Sequence, residues 1–194
     1  MTTSPDAVVR ACVPRPSDQP GRVAGDGLLL HIGVPKTATT SLQSCLAASR
    51  GLLAEAGILY PGTVDSHVAA VRRPLGWPAT DDEAQVDERR WDALVRQSRE
   101  HAGRVVISAE SLAAADPTRI AGILEALGHP RIEIVVTVRS LANVLPSAWQ
   151  EAVKAGVATP FVRWLYEVCE WPRPDGSAPL PFWVVHDHAA VGPA

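Results

Sequence analysis

Residues 28–46, LLLHIGVPKTATTSLQSCL, constrain the fold more than any other stretch of the chain. An apolar run from Leu28 to Gly33 passes through a short loop containing Pro35, Lys36 and three threonines, then becomes a helical pattern. A buried strand that breaks at Gly and Pro and reopens as a helix is the start of a β-α unit. Two more apolar runs, Arg104 to Ser108 and Ile132 to Arg139, also read as buried strands, the second rich in β-branched residues.

Helical periodicity fills the intervals. Ser41 to Ala54 places Leu42, Cys45, Leu46, Ser49 and Leu53 on one face, and Glu83 to His101 is a charged amphipathic helix with Trp91, Leu94 and Val95 inward. Further helices are expected over Pro117 to Leu127, Asn143 to Lys154 and Pro160 to Cys169. Gly57 to Gly62 reads as a brief extended piece ending in a turn, and Trp171 to Gly176 as a loop. The tail from Pro181 begins with an apolar run. Strands alternating with helices imply an α/β fold with a central parallel sheet flanked by helices. A doubly wound sheet usually has five or more strands, and only three or four are countable, so a C-terminal edge element is expected to be missing.

Composition narrows the function classes. With 194 residues, 46% of them hydrophobic and 20% charged, the chain can bury one sizeable core, placed here at residues 27–194. Residues 1–26 hold four prolines and no continuous apolar core, so a disordered lead-in is expected rather than a secretory signal. A net charge of −3 and a pI near 6.1 argue against a protein that coats nucleic acid, so any anion must be held locally. Cys12, Cys45 and Cys169 are odd in number and lack CxxC spacing, which suggests neither a disulfide framework nor a zinc site and fits a reducing, cytoplasmic setting. No window approaches the ~18 apolar residues of a spanning helix, so no membrane insertion is expected.

The loop has the layout of a phosphate-binding loop without the GxxxxGK[ST] spelling of a nucleotide-binding one. Lys36 comes early, Pro35 stiffens its approach, and Thr37, Thr39 and Thr40 set hydroxyls beside the amides of a helix N-terminus. Such a site suits a tetrahedral oxyanion.

His31-Ile-Gly-Val-Pro-Lys-Thr-Ala-Thr-Thr-Ser-Leu-Gln43 resembles the 5′-phosphosulfate loop of sulfotransferases that use 3′-phosphoadenosine 5′-phosphosulfate (PAPS), where PK[ST]GTT is typical. Ala38 stands where that family commonly has Gly. A second element, Val135 to Gln150, is similar to the family's 3′-phosphate motif, an Arg at a strand end and a Ser eight positions later, here Arg139 and Ser147. The likeness spans about Leu28 to Gly156 and fades beyond Trp171. It implies a P-loop-like three-layer fold and PAPS as co-substrate. Pro35, Lys36, Thr37, Ala38, Thr39, Thr40 and Ser41 would lie about the 5′-phosphosulfate, and Arg139 and Ser147 about the 3′-phosphate. Pro146 is expected in the first turn of its helix, which would keep Ser147 near that N-terminus.

The implied reaction moves a sulfuryl group to a hydroxyl of a small molecule or carbohydrate. Lys36 would neutralise charge on the leaving phosphate, so no metal is required. Two residues compete for the general base. His67 follows the turn at Gly62 and has a near-neutral ordinary pKa. Glu110 follows the strand ending at Ser108, at the carboxyl edge where open α/β sheets bind ligands. His31 reads as a satisfied core residue, and the other histidines as helix-end or tail residues. Most of the tryptophans are expected in packing, with some left to line an acceptor pocket. Two other readings stay open: a non-catalytic or truncated nucleotide-binding domain, and an ATP-dependent kinase with Glu110 beside magnesium.

Overall fold

Alternation along the two central strands decides how the sheet is packed. The computed structural model describes residues 26–170 together with Phe182 and His186. Four strands, β1 (Gly27–His31), β2 (Ile58–Leu59), β3 (Arg104–Ser108) and β4 (Ile132–Val135), form one parallel sheet in the order β2-β3-β1-β4. The register pairs Leu28 with Val105, Leu30 with Ile107 and His31 with Ser108. With a side-chain period of two, Leu28, Leu30, Val105 and Ile107 share one face, while His31 and Ser108 fall on the other.

The apolar face carries the main core. Leu28, Leu30, Val105 and Ile107 are at most 1% exposed and pack with Val71, Leu75, Leu94, Leu112, Ile123 and Leu127. These come from α3 (Val68–Val71), α4 (Asp81–Glu100), a 3-10 turn (Glu110–Ala114), α5 (Pro117–Leu127) and the loop after α3. Trp91 and Val95 of α4 pack against the same cluster, as the helical period predicts. The start of α4 is a capping box: Thr80 Oγ1 accepts from the Glu83 amide and Glu83 Oε2 accepts from the Thr80 amide. Asp116 caps α5 at the Arg119 amide (3.0 Å), Pro117 opens its first turn, and Gly128 closes it at φ 67°.

Two helices depart from expectation. The segment expected as one helix from Ser41 to Ala54 is two, α1 (Thr39–Ala48) and α2 (Arg50–Glu55), separated at Ser49 (φ −94°, ψ 8°). The buried residues of α1 are Thr39 and Gln43, whereas Leu42 is 38% exposed. Gln43 bonds to Ser108 of the polar sheet face, so a polar residue is what this helix turns inward. The second departure is α6 (Leu141–Lys154), which starts before Asn143 with Ser140 as N-cap. Pro146 therefore lies inside the helix, in its second turn, where its ring removes the bond to the Ala142 carbonyl. Ser147 accordingly sits two residues further from the N-terminus than expected.

A second cluster joins α6 to α7 (Phe161–Cys169): Val144, Val168 and Phe182 are buried, with Leu145, Ala148 and Trp164 against them. Trp149 Nε1 donates to the Thr159 carbonyl and ties the turn between these helices. The lead-in at residues 1–25, the loop at 171–176 and most of the tail lie outside the described residues. No described helix is long and apolar enough to cross a membrane.

Candidate functional site

Because β1 is flanked by β3 on one side and β4 on the other, the strand order reverses at its carboxyl end, the position where open α/β sheets bind ligands. The loop after β1 fills that position. Backbone pairing continues past both strands there: Ile32 N donates to Val135 O, Val34 N to Thr137 O, and Thr137 N to Gly33 O at 2.6 Å. The loop and the segment leading to Arg139 are thus stitched together.

Local backbone conformation shapes the loop into a concavity. Lys36 (φ 67°) and Ala38 (φ 68°) both adopt left-handed geometry with Thr37 between them. Such alternation can turn successive amides to one side, the nest geometry that suits an anion. Ala38 is also the N-cap of α1 and has no side chain to cap it, and the first helical bond is Leu42 N to Ala38 O. The amides of Thr39, Thr40 and Ser41 precede that bond, so no helical acceptor serves them.

The left-handed alanine is strained, since this region costs an L-residue ~1–2 kcal/mol. Ala38→Gly is therefore expected to raise the melting temperature by about 2–4 °C, as the exposed alanine gives up little contact. A melting curve that does not move, or moves down, would contradict the strain.

Among the hydroxyls the division differs from the simple expectation of three donors. Thr37 Oγ1 donates to Val34 O (2.6 Å) and lies 2.7 Å from Thr137 Oγ1, so its proton is already used. Thr39 is 5% exposed, while Thr40 and Ser41 are open to solvent. Pro35 is half-buried beside them. The amides, Thr40 and Ser41 are what an anion would meet.

Lys36 reaches from the loop to α6. Its Nζ lies 2.8 Å from Glu151 Oε2 on α6, with the lysine side chain 29% exposed. The Lys36 ammonium holds the Glu151 carboxyl below its usual range, with Lys154 adding to the effect. Ser147 and Glu151 are four residues apart and therefore on one face of α6, the face directed at Lys36. Arg139 is exposed just before the N-cap Ser140. The loop lysine, the Ser147 face and the Arg139 segment thus gather at one edge of the sheet.

The two candidate bases are placed very differently. His67 is 2% exposed, its Nδ1 accepts from the Ser108 amide (3.0 Å), and its Nε2 faces the Pro61 carbonyl (3.0 Å) and must donate to it. Both ring nitrogens are committed to backbone and Tyr60 packs edge-on at 4.6 Å, so no lone pair remains to take an acceptor's proton. Glu110 is half-buried in the 3-10 turn against the loop: a Cβ on Gly33 would come within 2.7 Å of the Glu110 Cβ. Its Oε2 accepts from Gln43 Nε2 at 2.6 Å, leaving the other oxygen outside this bond. Sequence patterns gave no sign of Glu151, Gln43 or Thr137, whose partners lie 115, 67 and 100 residues away.

Burial depresses the pKa of His31 and of His67 below 6.5. Below that value the unfolded chain binds protons that the folded chain does not, so folding stability rises with pH and is lost as pH falls under about 6.5. Each histidine contributes at most about 1.4 kcal/mol per pH unit. The melting temperature is expected to fall steadily between pH 7 and 5, and a flat profile would contradict neutral burial.

A cavity of about 560 Å³ opens at the opposite, amino edge of the sheet, between Asp26, Arg99, His101 and His129. It lies away from the loop and from Glu110. Among the described residues no group of three or more His, Cys, Asp or Glu side chains is spaced to hold a metal ion. In comparisons with known proteins the chain matches no family model, no curated protein and no solved structure.

Proposed function

We propose that the protein is a sulfotransferase with a P-loop-like three-layer architecture, transferring a sulfuryl group from PAPS to a hydroxyl of a small molecule or carbohydrate. The observation that carries this reading is the convergence at one sheet edge of the nest around Lys36, the Ser147 face of α6 and the segment ending at Arg139, joined by Thr37–Thr137 (2.7 Å) and Lys36–Glu151 (2.8 Å). A single adenosine bisphosphate needs cationic and hydroxyl groups at two ends, and this edge offers both.

The donor supplies an activated sulfuryl group whose leaving group is a phosphate. Amides of Thr39, Thr40 and Ser41, with the exposed hydroxyls, would hold the 5′-phosphosulfate, and the Arg139 fork with Ser147 the 3′-phosphate. Lys36 would leave Glu151 and neutralise the charge that grows on the bridging oxygen as the S–O bond breaks. Glu110, not the closed-in His67, would take the acceptor's proton as the new O–S bond forms. Gln43 would hold that carboxylate in place through its 2.6 Å bond. Cytoplasmic residence belongs to the same reading.

The test is thermal stabilisation followed by transfer. 3′-Phosphoadenosine 5′-phosphate (PAP) without magnesium should raise the melting temperature, and ATP with magnesium should not. Label from [35S]PAPS should then appear on a hydroxyl acceptor. Stabilisation by ATP with magnesium alone would favour a kinase, and binding of PAP without transfer to any acceptor would leave a nucleotide-binding domain.

A further inference from the structure

Under the loop runs an uninterrupted file of side-chain hydrogen bonds that leads from Thr37 to Glu110. Thr37 Oγ1 lies 2.7 Å from Thr137 Oγ1, Thr137 Oγ1 lies 3.2 Å from His31 Nε2, and His31 Nδ1 lies 2.7 Å from Ser108 Oγ. Gln43 Nε2 then donates to Ser108 Oγ (3.2 Å) and to Glu110 Oε2 (2.6 Å). His31 and Ser108 are at most 1% exposed, so water does not compete at the centre of the file.

Proton counting fixes its direction. Thr37 must donate to the Val34 carbonyl, which has no proton to give, so Thr37 can only accept from Thr137. Thr137 has then used its proton and must accept from His31 Nε2. With its hydrogen on Nε2, the neutral ring accepts at Nδ1 from Ser108, which in turn accepts from Gln43. Every proton in the file has one acceptor, and the neutral ring agrees with a pKa depressed by burial.

We propose that His31 is a positioning residue, a neutral Nε2–H imidazole that ties the anion loop, through Thr137 and Thr37, to the acceptor-side carboxylate, through Ser108, Gln43 and Glu110. It rests on the reading of Glu110 and the loop as one transfer site. Filling the nest with phosphate would then be felt at Glu110 before any acceptor arrives. Burial in a file of fixed polarity makes this coupling a matter of hydrogen-bond geometry.

Nuclear magnetic resonance on the full chain tests it in two stages. Without nucleotide, 15N shifts should show His31 protonated at Nε2 and bare at Nδ1 at pH 7; an Nδ1–H tautomer or an imidazolium would overturn the file. With PAP added, the Glu110 side-chain 13C resonance, assigned through Glu110→Gln, should shift in the wild type and stay put in Thr137→Val and in Ser108→Ala. Thr137→Val should also weaken PAP about fivefold, the effect of one hydrogen bond. An equal Glu110 shift in the variants overturns the coupling. Failure of the wild type to bind PAP sinks the functional reading instead, and the tautomer, read without nucleotide, still decides the file.

Discussion

Replacing Lys36 by alanine is expected to lower sulfuryl transfer by about 10²–10³-fold, the loss typical of removing one preorganised group that faces developing negative charge. The fold should survive, with the melting temperature within about 2 °C of the wild type. Among the described residues its side-chain partner is Glu151, itself 54% exposed, and pairs in such surroundings add little to stability because water and salt screen them. Alanine tolerates the left-handed backbone at this position no worse than lysine does. The informative pattern is lost turnover with PAP still bound. Steady-state transfer from [35S]PAPS and calorimetric titration of PAP read the two effects separately. Full activity in Lys36→Ala would remove the lysine from the chemistry.

Gly33→Ala is expected to be the most damaging small change in the loop. Gly33 sits at φ 87°, where an L-residue is strained by ~1–2 kcal/mol. An added Cβ would also stand 2.7 Å from the Cβ and 2.9 Å from the Cα of Glu110, and the second of these is backbone that cannot swing away. Overpacking of that kind costs ~1–3 kcal/mol, so the sum is about 2–5 kcal/mol and the melting temperature should drop by about 5–15 °C. Any folded fraction would carry Glu110 displaced from the loop and should transfer poorly. Gly51→Ala is the control, since its Cβ would meet nothing within 4 Å. Equal melting temperatures for the two alanine variants would contradict the close approach.

How far the sequence announced this arrangement depended on how local each signal was. Strand β3 and helix α5 match their expected bounds because an apolar run and a helical pattern between Asp-Pro and Gly lie within the segment, whereas the β-branched run from Ile132 to Arg139 is a strand only to Val135. The break at Ser49 and the inward turn of Gln43 were hidden, because the patch that α1 covers is polar only through pairing of His31 with Ser108, 77 residues apart. Hydrophobic periodicity takes every helix to face an apolar wall, and that wall is not apolar.

The loop itself was legible through its Pro-Lys-Thr and Thr-Thr-Ser spelling, and Glu110 through its place after a strand. His67 was attractive for its ordinary pKa, but burial and two backbone bonds decide its role, and neither shows in a one-dimensional reading. The Thr37 hydroxyl was likewise counted as a donor to the ligand, while the fold spends it on Val34 O. Glu151 had no local signature at all. Its position one turn after Ser147 acquires meaning only when α6 is laid beside the loop.

The central claim is that the nest at Lys36 and the arginine at residue 139 hold opposite ends of one nucleotide. Calorimetric affinities of PAP and of adenosine 5′-monophosphate, which lacks the 3′-phosphate, measured for the wild type and for Arg139→Ala, test it most directly. The wild type should prefer PAP by at least about tenfold, as expected for charge-assisted bonds to the extra phosphate, and Arg139→Ala should bind the two alike. Equal affinities in the wild type, or a preference for PAP that outlasts the loss of Arg139, would contradict it.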